Sequence, residues 1–275
     1  MRNRKGVLLG SLSIVVALVV FVVPFVFILL TALKDRQEAN LLKFTWPTRI
    51  ALVDNLREVI QARDYQLVIA FINSTVLTVS SVALLVVLAA MVAFVLQRRP
   101  SRWTKFADFL VLAGLIVPPA VVPTVWVLQS LGIFRTMSGL VLVEVAFGLA
   151  FCILLFKAFI ATIPRELDEA AAIDGAGPLR LFFRVIFPVL RSVIVTVVVI
   201  ESVTVFNDFA NPLYFLPGDD NATVQLTLFN FQSQFTTQYN LLFMDILLIT
   251  IPPLIVFLFF NRQIVAGMTS GSVKG

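Results

Sequence analysis

The sequence predicts an all-α membrane protein, a bundle of six transmembrane helices, and three observations carry that expectation. Hydrophobic residues make up 59% of the 275-residue chain and charged residues only 13%, whereas a soluble domain is about half apolar and about one-quarter charged. The apolar residues fall in long blocks, six of which reach the roughly 20 residues a helix needs to cross a bilayer. Lysine and arginine are spread unevenly over the segments between the blocks. These features exclude a soluble enzyme and a disordered chain. Twenty-six Phe against three Tyr suit lipid-facing and helix-packing surfaces better than nucleic-acid stacking.

The first block, about 7–33, follows Arg2, Arg4 and Lys5. A basic start also opens a secretory signal, but this apolar core is too long for one and no small-x-small cleavage site follows. A retained anchor helix is expected. The second span is about 68–97, after a loop at 34–67 long enough to form short surface helices. The third, about 106–131, contains Pro118, Pro119 and Pro123. Each proline removes a helix hydrogen bond, leaving either a packing kink or a break lined by a polar path. The fourth, fifth and sixth spans are about 138–162, 189–212 and 240–261. No Gly/Ser-rich linker or repeat divides the chain, so one domain over 1–275 is expected.

Six spans put both termini on one side, and the basic residues choose which. Fourteen lie with the termini: three at the N-terminus, then Arg98, Arg99, Arg102, Lys105, Lys157, Arg165, Arg180, Arg184, Arg191, Arg262 and Lys274. Seven lie opposite: Lys34, Arg36, Lys43, Arg49, Arg57, Arg63 and Arg135. The excess places both termini in the cytoplasm, and the net charge of +5 reflects this bias rather than affinity for nucleic acid. The 34–67 loop is the weak point, with six basic residues beside Asp35, Glu38, Asp54, Glu58 and Asp64.

Several chemistries are missing. There is no histidine, and Cys152 is the single cysteine. The chain therefore encodes no internal disulfide, thiolate metal cluster or histidine base. No catalytic residue and no metal ligand is assigned. A Gly-x4-Gly-Lys-Ser/Thr phosphate loop is also absent.

The segment 163–188 interrupts the apolar pattern between spans four and five. Pro164 suits a first helical turn, and Glu166, Asp168 and Glu169 complement the positive helix N-terminus. Leu167, Ala170, Ala171 and Asp174 share a face, and Gly175 offers a chain stop. Gly177 and Pro178 open a second short helix ending near Pro188. A helix–turn–helix at the membrane surface follows, with a run of small alanines that a partner can approach closely. Composition alone allows a generic amphipathic loop.

The spacing resembles the EAA signature of ABC-importer permeases: Glu169-Ala170-Ala171, then Gly175, then Val185-Ile186-Phe187-Pro188 nine residues on. Asp174-Gly175-Ala176 also matches the family. The likeness covers nearly the whole chain and is similar to the smaller, six-span permease of the maltose-type carbohydrate importers. Asn73-Ser74, Leu131-Gly132, Ser138-Gly139-Leu140 and Ile163-Pro164-Arg165-Glu166-Leu167 each resemble elements of that subfamily. Phe206-Asn207-Asp208-Phe209 with Asn211-Pro212-Leu213 does so with Phe206 in place of the usual Trp. The ending, from Gly267 to Gly275, resembles the subfamily's Gly-x-Thr-x-Gly-x-Val-Lys-Gly tail.

The resemblance implies a type I importer permease with a cytoplasmic coupling helix pair. Glu166, Glu169, Ala170, Ala171, Asp174, Gly175 and Pro188 would couple it to an ATPase, and Thr269, Gly271, Lys274 and Gly275 of the tail would touch that ATPase. It implies as partners a homologous permease in a heterodimer, two copies of a cytoplasmic ATPase, an extracytoplasmic solute-binding protein and membrane lipid, with no nucleic acid. No cofactor is held by this chain; ATP and Mg belong to the partner ATPase. The expected location is a bacterial or archaeal cytoplasmic (inner) membrane. A di- or oligosaccharide is the expected cargo.

Glu144, Glu201 and Asp245 fall inside proposed spans, where ionisable groups mark function by default. Glu201 stands 13 residues past Pro188, roughly 20 Å into the bilayer at 1.5 Å per residue. It either accepts sugar hydroxyls or bonds a neighbouring helix. Glu144 and Asn73 carry the same two readings, Asn73 leaning towards helix contact. An ion-coupled secondary transporter using an intramembrane carboxylate is the alternative function. Against it stand the missing inverted repeat and the signature loop. A membrane-embedded enzyme lacks any credible metal cluster or nucleophile–base set.

Overall fold

The apolar blocks fold as helices in the computed structural model, which describes residues 4–232 and 236–269, with side chains for 10–232 and 236–260. No strand forms among the described residues beyond one isolated bridge, Gln232 with Thr237. Two compact units form: 1–70 with 224–251, and 71–223 with 252–275.

In the first unit, α1 (Arg4–Ala32) exposes apolar side chains all along its middle, Phe21 at 69%. A helix with hydrocarbon on every side matches lipid as its solvent. The loop after it is built around buried polar groups. Lys34 is 1% exposed; its Nζ donates to Lys43 O at 2.7 Å and to Thr45 Oγ1 at 3.0 Å. Asp35 caps α2 (Arg36–Ala39), its Oδ1 accepting from Glu38 N at 2.9 Å. Asn55 Nδ2 donates to Ala32 O and Lys34 O, both at 2.8 Å, and Asn240 Nδ2 donates to Asn55 Oδ1 at 2.8 Å. A buried, bonded Lys34 removes one surface charge from the weak point of the charge argument.

The helix α3 (Leu52–Arg98) is interrupted at 62–65, where Arg63, Asp64 and Tyr65 have φ of 47°, 55° and 63°. Three successive left-handed residues end a short surface helix and start the long span, the arrangement expected of the 34–67 loop. In the same unit, α12 (Val224–Thr227) places Thr227 Oγ1 2.9 Å from Asp245 Oδ2, donating to it. Asp245 is fully buried and serves this internal contact.

The second unit is organised on α6 (Met137–Ile160), against which α4 (Arg102–Ile116), α10 (Arg191–Phe206) and α11 (Ala210–Phe215) pack. Leu85, Leu140, Phe156, Ile160, Ile186 and Val197 lie at the heart of its core. Lys157 of α6 pairs with Asp108 of α4. Ser101 and Thr104 form a reciprocal capping box at the start of α4.

Two expected spans differ from straight or kinked helices. The third breaks after Ile116; α5 (Val121–Ser130) follows at 119° to α4. Val117 is extended, as a residue preceding proline prefers, and Pro118-Pro119 deny two successive N–H groups to the ladder. The fifth ends at Phe206 rather than 212, because α11 starts anew at Ala210. Before α10 come α7 (Glu166–Ile173), α8 (Pro178–Leu181), a π-helical turn over Phe182–Ile186 and α9 (Phe187–Val189). The α8–α9 segment meets α10 at 77°. The sixth span, α13 (Tyr239–Thr269), carries Pro252 and Pro253 and extends past 261. Among the described residues, four helices are long and apolar enough to cross a membrane, and up to six spans result when each bent pair counts as one.

Candidate functional site

Two of the three acids that fall inside apolar spans, Glu144 and Glu201, line one cleft. On α6, Glu144, Phe147, Gly148 and Phe151 recur every three or four residues and so share a face. On α10, Ile200, Glu201 and Thr204 do the same, and Asp208 and Asn211 continue past its end. These nine residues line one cleft of about 560 Å³. Glu144 and Glu201 are 6% and 5% exposed. Asn211 Nδ2 donates to Glu144 Oε1 at 3.3 Å, and Cys152 Sγ donates to Glu201 Oε1 at 3.3 Å. Asp208 Oδ1 accepts from Ala210 N at 2.8 Å and from Asn211 N at 3.4 Å, which starts α11 and aims Asn211 into the cleft.

The cleft is therefore walled by carboxyls, an amide, a hydroxyl and two phenyl faces, and no lysine or arginine lines it. A ligand that donates several hydrogen bonds and presents apolar faces suits such a wall. Gly148 is required by close approach. A Cβ there would meet Leu85 Cδ1 at 3.1 Å and Glu201 Oε2 at 3.2 Å, so the bare backbone makes room for the carboxylate.

Of the sequence-assigned path residues, Glu144 and Glu201 share this cleft. Asn73 does not line it: its Nδ2 donates to Asp220 O at 3.2 Å and Ala222 O at 3.1 Å, tying α3 to the loop after α11. Asp208, Asn211 and Thr204 are additional members that sequence reasoning had not assigned to the path. The Asn207-Asp208-Phe209…Asn211 run was the available signal.

The helix pair at 163–188 is present as α7 and α8 with their π turn. Ala176 N donates to Ala171 O at 2.9 Å and Gly175 N to Ala172 O at 3.1 Å, the paired bonds of a Schellman stop. Gly175 closes it at φ +75°, a conformation that side chains disfavour. Glu166, Glu169, Ala170, Asp174 and Pro188 are exposed, whereas Ala171 is turned inward at 8%. Ile173 and Leu179 stand 86% and 66% exposed beside the acids. Of the tail residues, Thr269 ends α13, and Gly271, Lys274 and Gly275 lie outside the described residues.

Residues 68–270 match the profile of a family described as binding-protein-dependent transport system inner membrane component. Among curated proteins, the chain is 29% identical over 277 residues to the melibiose/raffinose/stachyose import permease protein MelC of Bacillus subtilis, covering 100% of this chain and 99% of that one. It is 30% identical over 264 residues to the multiple sugar-binding transport system permease protein MsmG of Streptococcus mutans, covering 93% of each chain. It is 32% identical to the trehalose transport system permease protein SugB of Mycobacterium tuberculosis, covering 75% of this chain and 77% of that one. In fold, it resembles a chain of a bacterial ABC transporter involved in the import of the acidic polysaccharide alginate, with TM-score 0.82, 16% identity and coverage of 95% and 98%.

Proposed function

This chain belongs to the family of binding-protein-dependent transport system inner membrane components, and we propose that it forms, with a second permease, the membrane path of an ATP-driven importer of a di- or oligosaccharide. The observation that carries this reading is the convergence of Glu144 and Glu201 on one cleft with Asn211 and two phenylalanines. Sugar hydroxyls donate to the carboxyls and the amide oxygen while the sugar's C–H faces rest on Phe147 and Phe151. Open to lipid, such a wall would be costly; a homologous permease closing over it gives the carboxyls water and substrate as neighbours. The names of the relatives, which specify melibiose, raffinose, stachyose and trehalose, support a carbohydrate cargo.

The chain supplies a path and no chemistry. An extracytoplasmic binding protein delivers the sugar. Two copies of a cytoplasmic ATPase close on ATP and Mg, and α7 with α8 receives that movement through Glu166, Glu169, Ala170, Asp174 and Gly175. The excess of basic residues beside the termini supports a cytoplasmic tip and cytoplasmic ends. Glu201→Gln keeps the shape but removes the carboxylate as a charge. Expected is a several-fold loss of sugar uptake in reconstituted vesicles, with the complex still copurifying intact. Unchanged uptake would remove Glu201 from the path.

A further inference from the structure

The coupling helices are held to the rest of the second unit by Phe182 and Ile186 packed in its core, with Phe94 of α3 against Phe182, and by three further links. Residues 161–165 join α7 to α6, and Leu190 joins α9 to α10; both links are covalent. The third is a side-chain contact between residues 70 positions apart in sequence. Arg98, the last residue of α3, places Nε 2.7 Å from Asp168 Oδ2 in the first turn of α7. Both side chains are largely buried, at 9% and 18% exposure. Arg98 Nη2 also donates to Ile163 O at 2.9 Å, so one guanidinium holds both the approach to α7 and α7 itself.

The geometry of this pair suits a joint rather than a weld. Neither Arg98 Nε nor Asp168 Oδ1 has a hydrogen-bond partner, so the contact at Nε is held by charge and proximity, not by an aligned N–H···O bond. Charge attraction varies slowly with angle, whereas a hydrogen bond weakens steeply as it bends. The pair therefore tolerates rotation of α7 while resisting separation. Breaking it would strand a buried charge, which is far costlier than re-aiming it.

On the far side of the joint is a rigid rod. Leu85, Ala89, Ala90 and Ala93 of α3 are 0% exposed, locking its inner turns into the core. Thirteen residues before Arg98, roughly 20 Å along the helix, Leu85 abuts the Gly148 and Glu201 corner of the cleft. A packed helix with fixed ends passes displacement along its length. We infer that the Arg98–Asp168 pair is the joint through which movement of α7 reaches α3 and, through Leu85, the acid-lined cleft. Arg98 and Asp168 are thus positioning residues for transport, distinct from the exposed acids that meet the ATPase.

This inference rests on the coupling role proposed for α7, and the test separates the two. Full complexes carrying Arg98→Ala, Asp168→Asn, Arg98→Lys, or Arg98→Asp combined with Asp168→Arg are reconstituted with the binding protein, and sugar uptake is measured per ATP hydrolysed. The single removals are expected to retain ATPase copurification and hydrolysis while uptake per ATP falls at least about fivefold. Arg98→Lys keeps the charge but cannot reach Asp168 and the Ile163 carbonyl together, and is expected to fall between. The charge-exchanged double variant is expected to recover most of the ratio. An unchanged ratio in the single variants, or loss of ATPase copurification that the exchange does not repair, overturns the joint. Glu169→Lys is the separate arm: if it leaves ATPase association whole, the docking role of α7 fails instead.

Discussion

At the scale of single residues, the cleft depends on what is missing as much as on what is present. Gly148 lets Leu85 and Glu201 close to within 3.1–3.2 Å of where a Cβ would stand. Gly148→Ala forces one of them to move, at a cost of about 1–3 kcal/mol for overpacking. Leu85 is fully buried, so the carboxylate is the group that yields. The expected outcome is several-fold slower uptake at normal assembly, with Leu85→Ala in the same chain restoring part of the rate; full uptake in the single variant would show that the carboxylate position is immaterial. Asn73 makes the opposite case. Asn73→Ala leaves two loop carbonyls without their donor, about 1–3 kcal/mol of stability. A lower unfolding temperature of the purified complex is expected, with the order of preference among sugars unchanged. A changed order would return Asn73 to the path.

At the scale of elements, α7 is a short helix whose ending is fixed by one glycine. Gly175 has open space around its missing Cβ but a φ of +75°, so a side chain there is strained by backbone conformation alone, by roughly 1–2 kcal/mol. Gly175→Leu should re-aim α8, and Glu169→Lys should reverse a charge on the exposed tip. Both are expected to insert normally yet to lose ATPase copurification or the stimulation of hydrolysis by loaded binding protein. Retention of both properties by both variants would make α7 an ordinary loop. The stop at Gly175 was legible in the sequence because a glycine after an alanine-rich turn has few other uses. The spans α1, α6 and α13 were legible because lipid demands uninterrupted apolar length. The 119° break after Ile116 was legible only as prolines, since the bend angle is set by what packs on each side. The left-handed turn at Arg63–Tyr65 carries no glycine to announce it, and the Arg98–Asp168 contact joins residues that no local pattern connects. The cleft stood halfway: Glu144 and Glu201 were visible as acids in apolar blocks, but their meeting needed the rotation of α6 against α10.

At the scale of the whole molecule, the account requires an orientation as well as a fold. Buried Lys34 lessens the exposed basic charge of the 34–67 loop, and the loop with Asp219 contains no lysine or arginine between 213 and 239. In a Cys152→Ser background, Asp219→Cys should react with an impermeant thiol reagent added outside, and Ser272→Cys only after the membrane is opened; the reverse pattern would invert the topology. Orientation and energy source together define the function. The most direct measurement is sugar uptake by the complete reconstituted complex, with ATP present or withheld and the proton and sodium gradients intact or collapsed by ionophores. The account predicts uptake that requires ATP and the ATPase partner and is indifferent to both gradients. Uptake that persists without ATP and stops when a gradient is collapsed would contradict it, and would make Glu144 or Glu201 the coupling carboxylate of an ion-driven carrier.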